Sequence, residues 1–305
     1  MGSCSDCHPQ GSIASATFLG QQNAAQKQWA EQDRKIAAHL SQIRYKILVT
    51  SGKGGVGKSS VTVNTAVALA KMNLRVGILD CDIHGPSVPT LLGLKNTGIE
   101  SDAEGNFLPV LTKDNLSVIS MDVLLQDKDQ PILWRGTKKG QAIREFMSDV
   151  KWGELDFLLI DSPPGTGDEP MTVLECIPEA LCVVVTTPQE VSLADVRKTV
   201  NFLATVHANT LGIVENMSGL SCPYCHKDIP LFKKGGGEKL AREHNLPFLG
   251  AIPIDPASVV ASDAGIPVVS MQEDTPSKKA FLDLARAVKT FSENSLEAIA
   301  VIGKR

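Results

Sequence analysis

The chain has 305 residues, of which 43% are apolar and 21% are charged, with a net charge of -4 and a pI near 5.9. This length and apolar content suffice for one large α/β domain with a buried core. The acidic balance excludes the strong positive field that non-specific nucleic-acid binding requires, so we expect no nucleic-acid partner.

The N-terminal sequence and the cysteines indicate a cytoplasmic protein. Met1–Gln10 is polar, and no apolar run in the chain reaches the ~18 residues that a membrane span requires. An odd number of cysteines, seven, without a secretion signal favours reduced thiols over a disulfide framework. Cys81, Cys176 and Cys182 stand singly in apolar surroundings, where a small buried thiol is the expected role. We therefore expect no membrane contact.

The first 44 residues are predicted to form a tail and one helix. Trp29, Ile36, Leu40 and Ile43 are spaced by seven, four and three residues, which is typical of an amphipathic helix. We interpret residues 1–44 as an appendage to a single domain over residues 45–305.

From Tyr45 onward, short β-branched runs alternate with longer helical stretches, which is the rhythm of parallel βαβ units. The predicted strands are Lys46–Thr50, Arg75–Leu79, Leu116–Met121, Asp156–Ile160, Ala180–Thr186, Thr210–Glu215 and Pro247–Ile252. The predicted helices are Ser59–Met72, Lys138–Val150, Ser192–Val206, Gly236–His244 and Ser277–Ile302. This order predicts a doubly wound, mostly parallel sheet with helices on both faces and a ligand site beyond the carboxyl ends of the strands.

A phosphate-binding loop follows the first predicted strand. Gly52–Ser59 fits G-x-x-x-x-G-K-[ST] and opens a helix, which is the context that such a loop needs. Its N–H groups converge on phosphate oxygens, Lys58 adds a charge to the β and γ phosphates, and the Ser59 hydroxyl can ligate Mg²⁺. The predicted phosphate-binding residues are Gly52, Lys53, Gly54, Gly55, Val56, Gly57, Lys58, Ser59 and Ser60.

Two acidic elements support nucleotide hydrolysis. Asp82 follows the second predicted strand, where a carboxylate can orient the attacking water or sense Mg²⁺. Asp161 ends an apolar strand in the Walker B pattern and is predicted to hold Mg²⁺ through water; a rigid turn with Gly165, suited to sensing the γ-phosphate, follows it. For Asp80, a turn or helix-cap role explains the residue equally well.

Lys53 is a second lysine in the phosphate loop, directly after Gly52. Because the loop amides already surround the phosphates, we expect this side chain to project toward a partner's nucleotide. The loop resembles the deviant Walker A of the MinD, ParA and nitrogenase iron protein class. This resemblance implies an ATP-sandwich homodimer in which Lys53 reaches across, with Asp82 as the switch I aspartate.

Cys222 and Cys225 form a C-x-x-C pair in a Pro-containing loop after a predicted strand. Two thiolates supply half of the four ligands of an iron–sulfur cluster or a structural zinc, and a two-fold dimer would complete the site. Zinc remains an alternative because thiolate spacing does not select the metal. The spacing is also compatible with thioredoxin-like redox chemistry and with a pair of inert thiols.

Together these motifs resemble the Mrp family of iron–sulfur cluster carrier ATPases. The matching segments are Gly52–Ser59, Asp82–Ser87, Asp161–Asp168, Val214–Ser218, Cys222 with Cys225, and Gly250–Asp255. The resemblance implies ATP and Mg²⁺ as ligands and a [4Fe-4S] cluster bridged across a homodimer and passed from cluster donors to apo-proteins. By position, Asn216 would read the adenine edge and Pro253 would line the base pocket. Lys53, Lys58, Asp82 and Asp161 form the predicted catalytic set.

The sequence departs from the family in its N-terminal part. It has neither the small extra domain of many members nor the four-cysteine motif of the eukaryotic relatives, only Cys4 and Cys7. That pair is explained equally well as a second cluster site or as incidental cysteines in a tail. A MinD- or ParA-like positioning ATPase remains the alternative function, although Ser277–Arg305 mixes Lys and Glu rather than forming a basic membrane-binding helix.

Overall fold

The structure is a computed structural model that describes residues 27, 29–82, 85–94, 98, 100–121, 137–222, 225, 227–229 and 231–302. Cys4 and Cys7 lie outside the described residues, as do Ile83 and His84 within the segment Asp82–Ser87. None of the described helices has the length and apolar character needed to cross a membrane.

In the described part of the chain, the main sheet has eight strands in the order β12-β9-β8-β1-β7-β2-β6-β5. All pairings are parallel except that of β5 with β6. The strands are β1 (Ile43–Ser51), β2 (Val76–Asp80), β5 (Val110–Leu111), β6 (Leu116–Ser120), β7 (Leu155–Asp161), β8 (Leu181–Thr186), β9 (Asn209–Glu215) and β12 (Phe248–Ala251). Two small hairpins pair β3 (Glu100–Ser101) with β4 (Phe107–Leu108), and β10 (Leu220–Ser221) with β11 (Asp228–Ile229).

Helices cover both faces of the sheet. They are α1 (residues 29–40), α2 (Lys58–Ala70), α3 (Val88–Leu91), α4 (Thr137–Asp149), α5 (Asp168–Cys176), α6 (Glu190–Thr205), α7 (Gly236–Glu243), α8 (Pro256–Asp263) and α9 (Pro276–Ile302), with a 3-10 turn at Val268–Ser270. Neighbouring residues of β1 point to opposite faces, so that Ile47 and Val49 pack with α2 and α9 while Leu48 packs with α4 and α6. Burial on both faces explains why the strands are apolar nearly throughout.

The predicted doubly wound fold is confirmed, and the differences lie at short elements. Ile43 begins β1 rather than belonging to the N-terminal helix, because the helical spacing happens to continue into a strand. Ile36 and Leu40 of α1 are buried in the same cluster as the sheet. The short helices α3, α5 and α8 were not predicted from the sequence. Each has a proline in its first turn, where proline is compatible with a helix.

Candidate functional site

The phosphate loop joins β1 to α2 at the carboxyl edge of the sheet, as predicted. Gly57 has φ +80° and precedes the first residue of α2. A Cβ at this position would lie 2.2 Å from Asn216 Nδ2, so only glycine fits. The loop opens into a cavity of about 340 Å³ lined by Ser51, Lys53, Gly54, Gly55, Val56, Gly57, Lys58, Ser59, Ser60, Asp82, Gly85, Ser87, Leu91 and Pro164.

Lys58, which lines this cavity, forms an ion pair with Asp161. Lys58 Nζ lies 2.6 Å from Asp161 Oδ1, and the two side chains are 7% and 0% exposed. The Thr62 hydroxyl donates to the same carboxylate oxygen at 3.0 Å. Thr62 was not predicted from the sequence, although it lies one helical turn after Lys58 and therefore on the same face of α2. Lys58 Nζ also lies 3.5 Å from Ser59 Oγ.

The donor set fits a magnesium ion. Asp161 Oδ2 is buried and has no hydrogen-bond partner among the described residues. A buried carboxylate oxygen is costly unless a ligand or water satisfies it. The Ser59 hydroxyl lies beside the Lys58 ammonium. Mg²⁺ prefers hard oxygen ligands and keeps several of its waters. Ser59 and Asp161 would hold the ion together with nucleotide phosphates.

Asp80 organises the loop that carries Asp82. Its Oδ1 accepts a hydrogen bond from the Asp82 N–H at 3.1 Å, and its Oδ2 accepts from the Val88 N–H at 3.3 Å and the Ser120 hydroxyl at 3.1 Å. Burial, and then the charge of Asp161 on the adjacent strand, raises the pKa of Asp80 well above its usual range. These contacts match the turn and cap interpretation of Asp80. Asp82 itself lines the cavity.

The turn after β7 is fixed to the end of β1. The Gly165 N–H donates to the Ser51 carbonyl at 2.8 Å, and the Ser162 N–H donates to the Val49 carbonyl at 3.2 Å. Pro164 lines the cavity. The turn that holds Gly165 therefore runs from the end of β7 past the start of the phosphate loop and leads directly into α5.

Asn216 contacts the phosphate loop, and neither Asn216 nor Pro253 is among the residues that line the cavity. Asn216 Nδ2 donates to the Val56 carbonyl at 2.9 Å. Pro253 follows Ile252, whose carbonyl accepts a hydrogen bond from the Ser218 N–H at 2.8 Å. Asn216 is thus fixed to the loop, Pro253 adjoins the strand end that binds Ser218, and their contact with a nucleotide base stays a prediction.

Cys222 and Cys225 lie at the tip of the hairpin formed by β10 and β11. The Cys222 N–H donates to the Lys227 carbonyl at 2.9 Å, Cys222 is half-buried and Cys225 is exposed. A hairpin tip differs from the helix start that a thioredoxin-like redox pair needs, which argues against that chemistry. Exposed Ile229 and Leu231 adjoin the hairpin.

The single cysteines differ from this pair. Cys81 and Cys182 are buried, as predicted, and Cys176 is partly buried. Burial raises the pKa of the Cys182 thiol to about 12 and that of the Cys176 thiol to about 11. Such thiols carry little thiolate at neutral pH and are poor ligands and nucleophiles.

Comparison with known proteins places these features in one family. Residues 42–289 match the family model ParA, described as NUBPL iron-transfer P-loop NTPase. The iron-sulfur cluster carrier protein of Methanocaldococcus jannaschii is 52% identical over 241 residues, which cover 79% of this chain and 83% of that relative. A cytosolic Fe-S cluster assembly factor Nubp2 homolog of Drosophila erecta is 45% identical over 258 residues, which cover 83% of this chain and 99% of that relative.

Solved structures show the same fold. A nucleotide-binding protein from Archaeoglobus fulgidus in complex with ADP has a TM-score of 0.70 and 41% identity, covering 80% of this chain and 95% of that one. The cell division ATPase MinD of Pyrococcus furiosus has a TM-score of 0.61 and 26% identity, and the match covers 81% of this chain and 98% of that one. With the loop, the acidic residues and the sheet order in place, the chain belongs to the ParA family of P-loop NTPases, in the group described as NUBPL iron-transfer proteins.

Proposed function

We propose that the protein is an ATP-dependent iron–sulfur cluster carrier. It binds and slowly hydrolyses ATP, holds a [4Fe-4S] cluster as cargo between two subunits of a homodimer, and passes the cluster from donor proteins to apo-proteins. The observation that carries the proposal is the exposed hairpin with Cys222 and Cys225, which emerges from the strand end next to the phosphate loop.

The nucleotide chemistry follows from the cavity. Lys58 neutralises charge on the β and γ phosphates, and Asp82 positions the attacking water. Mg²⁺, when bound through Ser59 and Asp161, shields the phosphate charge. Lys53 lines the phosphate cavity, and we assign its ammonium to the partner's phosphates because the loop amides and Lys58 already serve those of its own subunit. Hydrolysis acts as a switch, since loss of the γ-phosphate contact is sufficient to bias two dimer arrangements.

The cysteine pair is half of a cluster site. An iron–sulfur cluster of this type takes four thiolates, and one hairpin offers two. A two-fold axis that brings two hairpins together supplies the other pair. The exposed apolar side chains of Ile229 and Leu231 beside the hairpin support contact with a second copy. Zinc shared in the same way is the competing occupant.

The relatives support this assignment. Several are named iron-sulfur cluster carrier proteins, and the Drosophila relatives are named cytosolic assembly factors, which supports the cytoplasmic location expected from the sequence. A MinD- or ParA-like positioning ATPase has the same fold but no use for the cysteine hairpin. Co-sedimentation with liposomes or DNA would reveal such a positioning role.

Anaerobic reconstitution with iron and sulfide tests the proposal. The parent protein should form dimers with about four iron atoms each and a cluster absorption band. Cys222→Ala should lose most of the iron, whereas the control Cys176→Ala, which removes a thiol outside the hairpin, should keep it. Equal iron in the parent and in Cys222→Ala, or zinc as the bound metal, would contradict the carrier assignment.

A further inference from the structure

The buried carboxylate of Glu215 joins the two ends of the segment that carries the cysteine hairpin, residues 216–235. This segment begins after Glu215, the last residue of β9, and ends at the start of α7. Glu215 Oε1 accepts hydrogen bonds from the Ser218 hydroxyl at 2.6 Å and the Gly235 N–H at 2.9 Å. Its Oε2 accepts from the Gly237 N–H at 2.6 Å. The outgoing and returning ends of the segment are thus tied to one side chain.

The bonding of Glu215 makes this base stiff. Glu215 is fully buried, at 0% exposure. These three donors are uncharged, and two of them are backbone N–H groups at the start of α7, where the helix dipole favours a negative charge. A buried carboxylate that loses a donor pays a desolvation cost, so the bonds tend to persist together. The strand end and the hairpin base therefore move as one unit.

On the other side, Asn216 is fixed to the phosphate loop. Its side-chain amide donates to the Val56 carbonyl at 2.9 Å, and its backbone N–H donates to the Thr186 carbonyl at 2.8 Å. The same amide fills the space in which a Cβ of Gly57 would stand. A shift of the loop around phosphates therefore acts directly on Asn216, the neighbour of Glu215.

The backbone between these two anchors has little freedom. Met217 has φ +57°, in the left-handed region that non-glycine residues rarely adopt. The Ser218 N–H is bound to the Ile252 carbonyl at 2.8 Å. Because the backbone at Met217 and Ser218 cannot change conformation at low energetic cost, a displacement of Asn216 also moves Ser218. The hydroxyl of Ser218 donates to Glu215.

We propose that Glu215 is a positioning residue that couples the nucleotide pocket to the cysteine hairpin. A nucleotide-dependent movement of the phosphate loop reaches the hairpin through Asn216, Ser218 and the Glu215 carboxylate, and it changes the exposure of the Cys222 and Cys225 thiols. The inference deepens the proposed function and rests on it for the identity of the cargo. The coupling itself concerns the thiols, so cluster-free protein tests it.

The test is the alkylation rate of Cys222 and Cys225 in the cluster-free, full-length protein, followed by peptide-resolved mass spectrometry. Rates are compared with Mg·ADP and with a non-hydrolysable ATP analogue. For each cysteine of the parent, the rate with Mg·ADP and the rate with the ATP analogue should differ by at least about fivefold. In Glu215→Gln they should differ by less than about twofold. The side-chain NH₂ of the glutamine replaces an accepting carboxylate oxygen with a hydrogen-bond donor. This donor faces another N–H or O–H donor, so the hydrogen bond at that position is lost. Nucleotide affinity should stay within about threefold of the parent, because Glu215 does not line the phosphate cavity.

Glu238→Gln is the matched control, because Glu238 is an exposed carboxylate in the first turn of the same helix, paired with Arg242. It should keep the parent's rate ratio. If circular dichroism shows that Glu215→Gln is unfolded, Ser218→Ala decides, since it removes one donor to Glu215 and should also lower the ratio.

Two results would overturn the coupling: equal rates with both nucleotides in the parent, or the parent's ratio retained in a folded Glu215→Gln or Ser218→Ala. Failure of the proposed function is distinguishable from both. In that case the thiol rates respond to nucleotide as described, but reconstitution yields no cluster on the hairpin.

Discussion

The Lys58 ammonium lies 2.6 Å from Asp161 Oδ1, so the cation of the phosphate loop and the carboxylate at the end of β7 form a buried ion pair. The sheet register brings them together, because β1 and β7 are neighbours and Val49 stands opposite Asp161. One oxygen of Asp161 fixes Lys58 and Thr62. The other oxygen is buried without a hydrogen-bond partner among the described residues, as the proposed role at a metal–water shell requires.

Asp161→Asn should strongly slow ATP hydrolysis, and circular dichroism checks that the variant is folded, because the substitution breaks a buried ion pair. Replacing the carboxylate removes the charge that pairs with Lys58 and that would hold the Mg²⁺ shell of the proposed site, so we expect phosphate release to fall by about 100-fold or more. The matched control is Asp156→Asn at the other end of β7, where the carboxylate pairs with Arg75 instead. Hydrolysis above half of the parent rate in Asp161→Asn would contradict the assigned role.

Ile36→Ala tests whether α1 is part of the core. Ile36 is 1% exposed and packs in the cluster on one face of the sheet. Removing a buried aliphatic side chain of this size should lower the free energy of unfolding by about 2–4 kcal/mol, measured in urea. Lys35→Ala, at an exposed position of the same helix, should change it by less than about 0.5 kcal/mol. An equally small effect of Ile36→Ala would mean that α1 is an appendage.

The pH dependence of alkylation should separate the two kinds of cysteine. With a pKa of about 11, Cys176 is thiolate in only about one molecule in a thousand at pH 8, and Cys182, with a pKa of about 12, in still fewer. A raised thiol pKa lowers reactivity until the pH approaches that value. We therefore expect both thiols to react at least about 100-fold more slowly than exposed Cys225 at pH 8, and Cys176 to gain about tenfold per pH unit above that. Comparable rates at pH 8 would contradict the burial.

The motifs that were found in the sequence are short contiguous segments next to a predicted strand or helix. The phosphate loop lies between a strand and a helix, and Asp161 ends an apolar strand, so both were identified without tertiary information. The roles of Asp80 and Thr62 depend on side chains that come from distant strands or from the register of the sheet. No sequence pattern specifies that Asp80 and Asp161 stand opposite each other.

Glu215 was missed for the same reason. In the sequence it is the last residue of an ordinary buried strand, and a polar residue at a strand end usually marks a turn. Its partners Gly235 and Gly237 follow after the whole cysteine hairpin, so only the folded chain shows that one carboxylate holds both ends of that segment. Ile43 was assigned to a helix because a helical spacing of apolar residues can run by chance into the first strand.

Lys53 should act at the nucleotide of the partner subunit. Lys53→Gln alone should lower hydrolysis by about 100-fold, while nucleotide affinity stays within about threefold, because the loop amides and Lys58 remain. Isothermal titration and phosphate release measure the two quantities. Loss of nucleotide binding in Lys53→Gln would contradict a role across the dimer.

Mixing two inactive variants decides between action within one subunit and action across the dimer. In a heterodimer of Lys53→Gln with Asp161→Asn, the site of the Lys53→Gln subunit keeps its own Asp161 and receives Lys53 from its partner. The other site lacks Asp161 and stays inactive. Random mixing makes half of the dimers heterodimers with one working site each, so activity should return to about one quarter of the parent's. If Lys53 served its own subunit, every site in the mixture would lack either that lysine or Asp161. Phosphate release would then stay at the level of the separate variants at every mixing ratio.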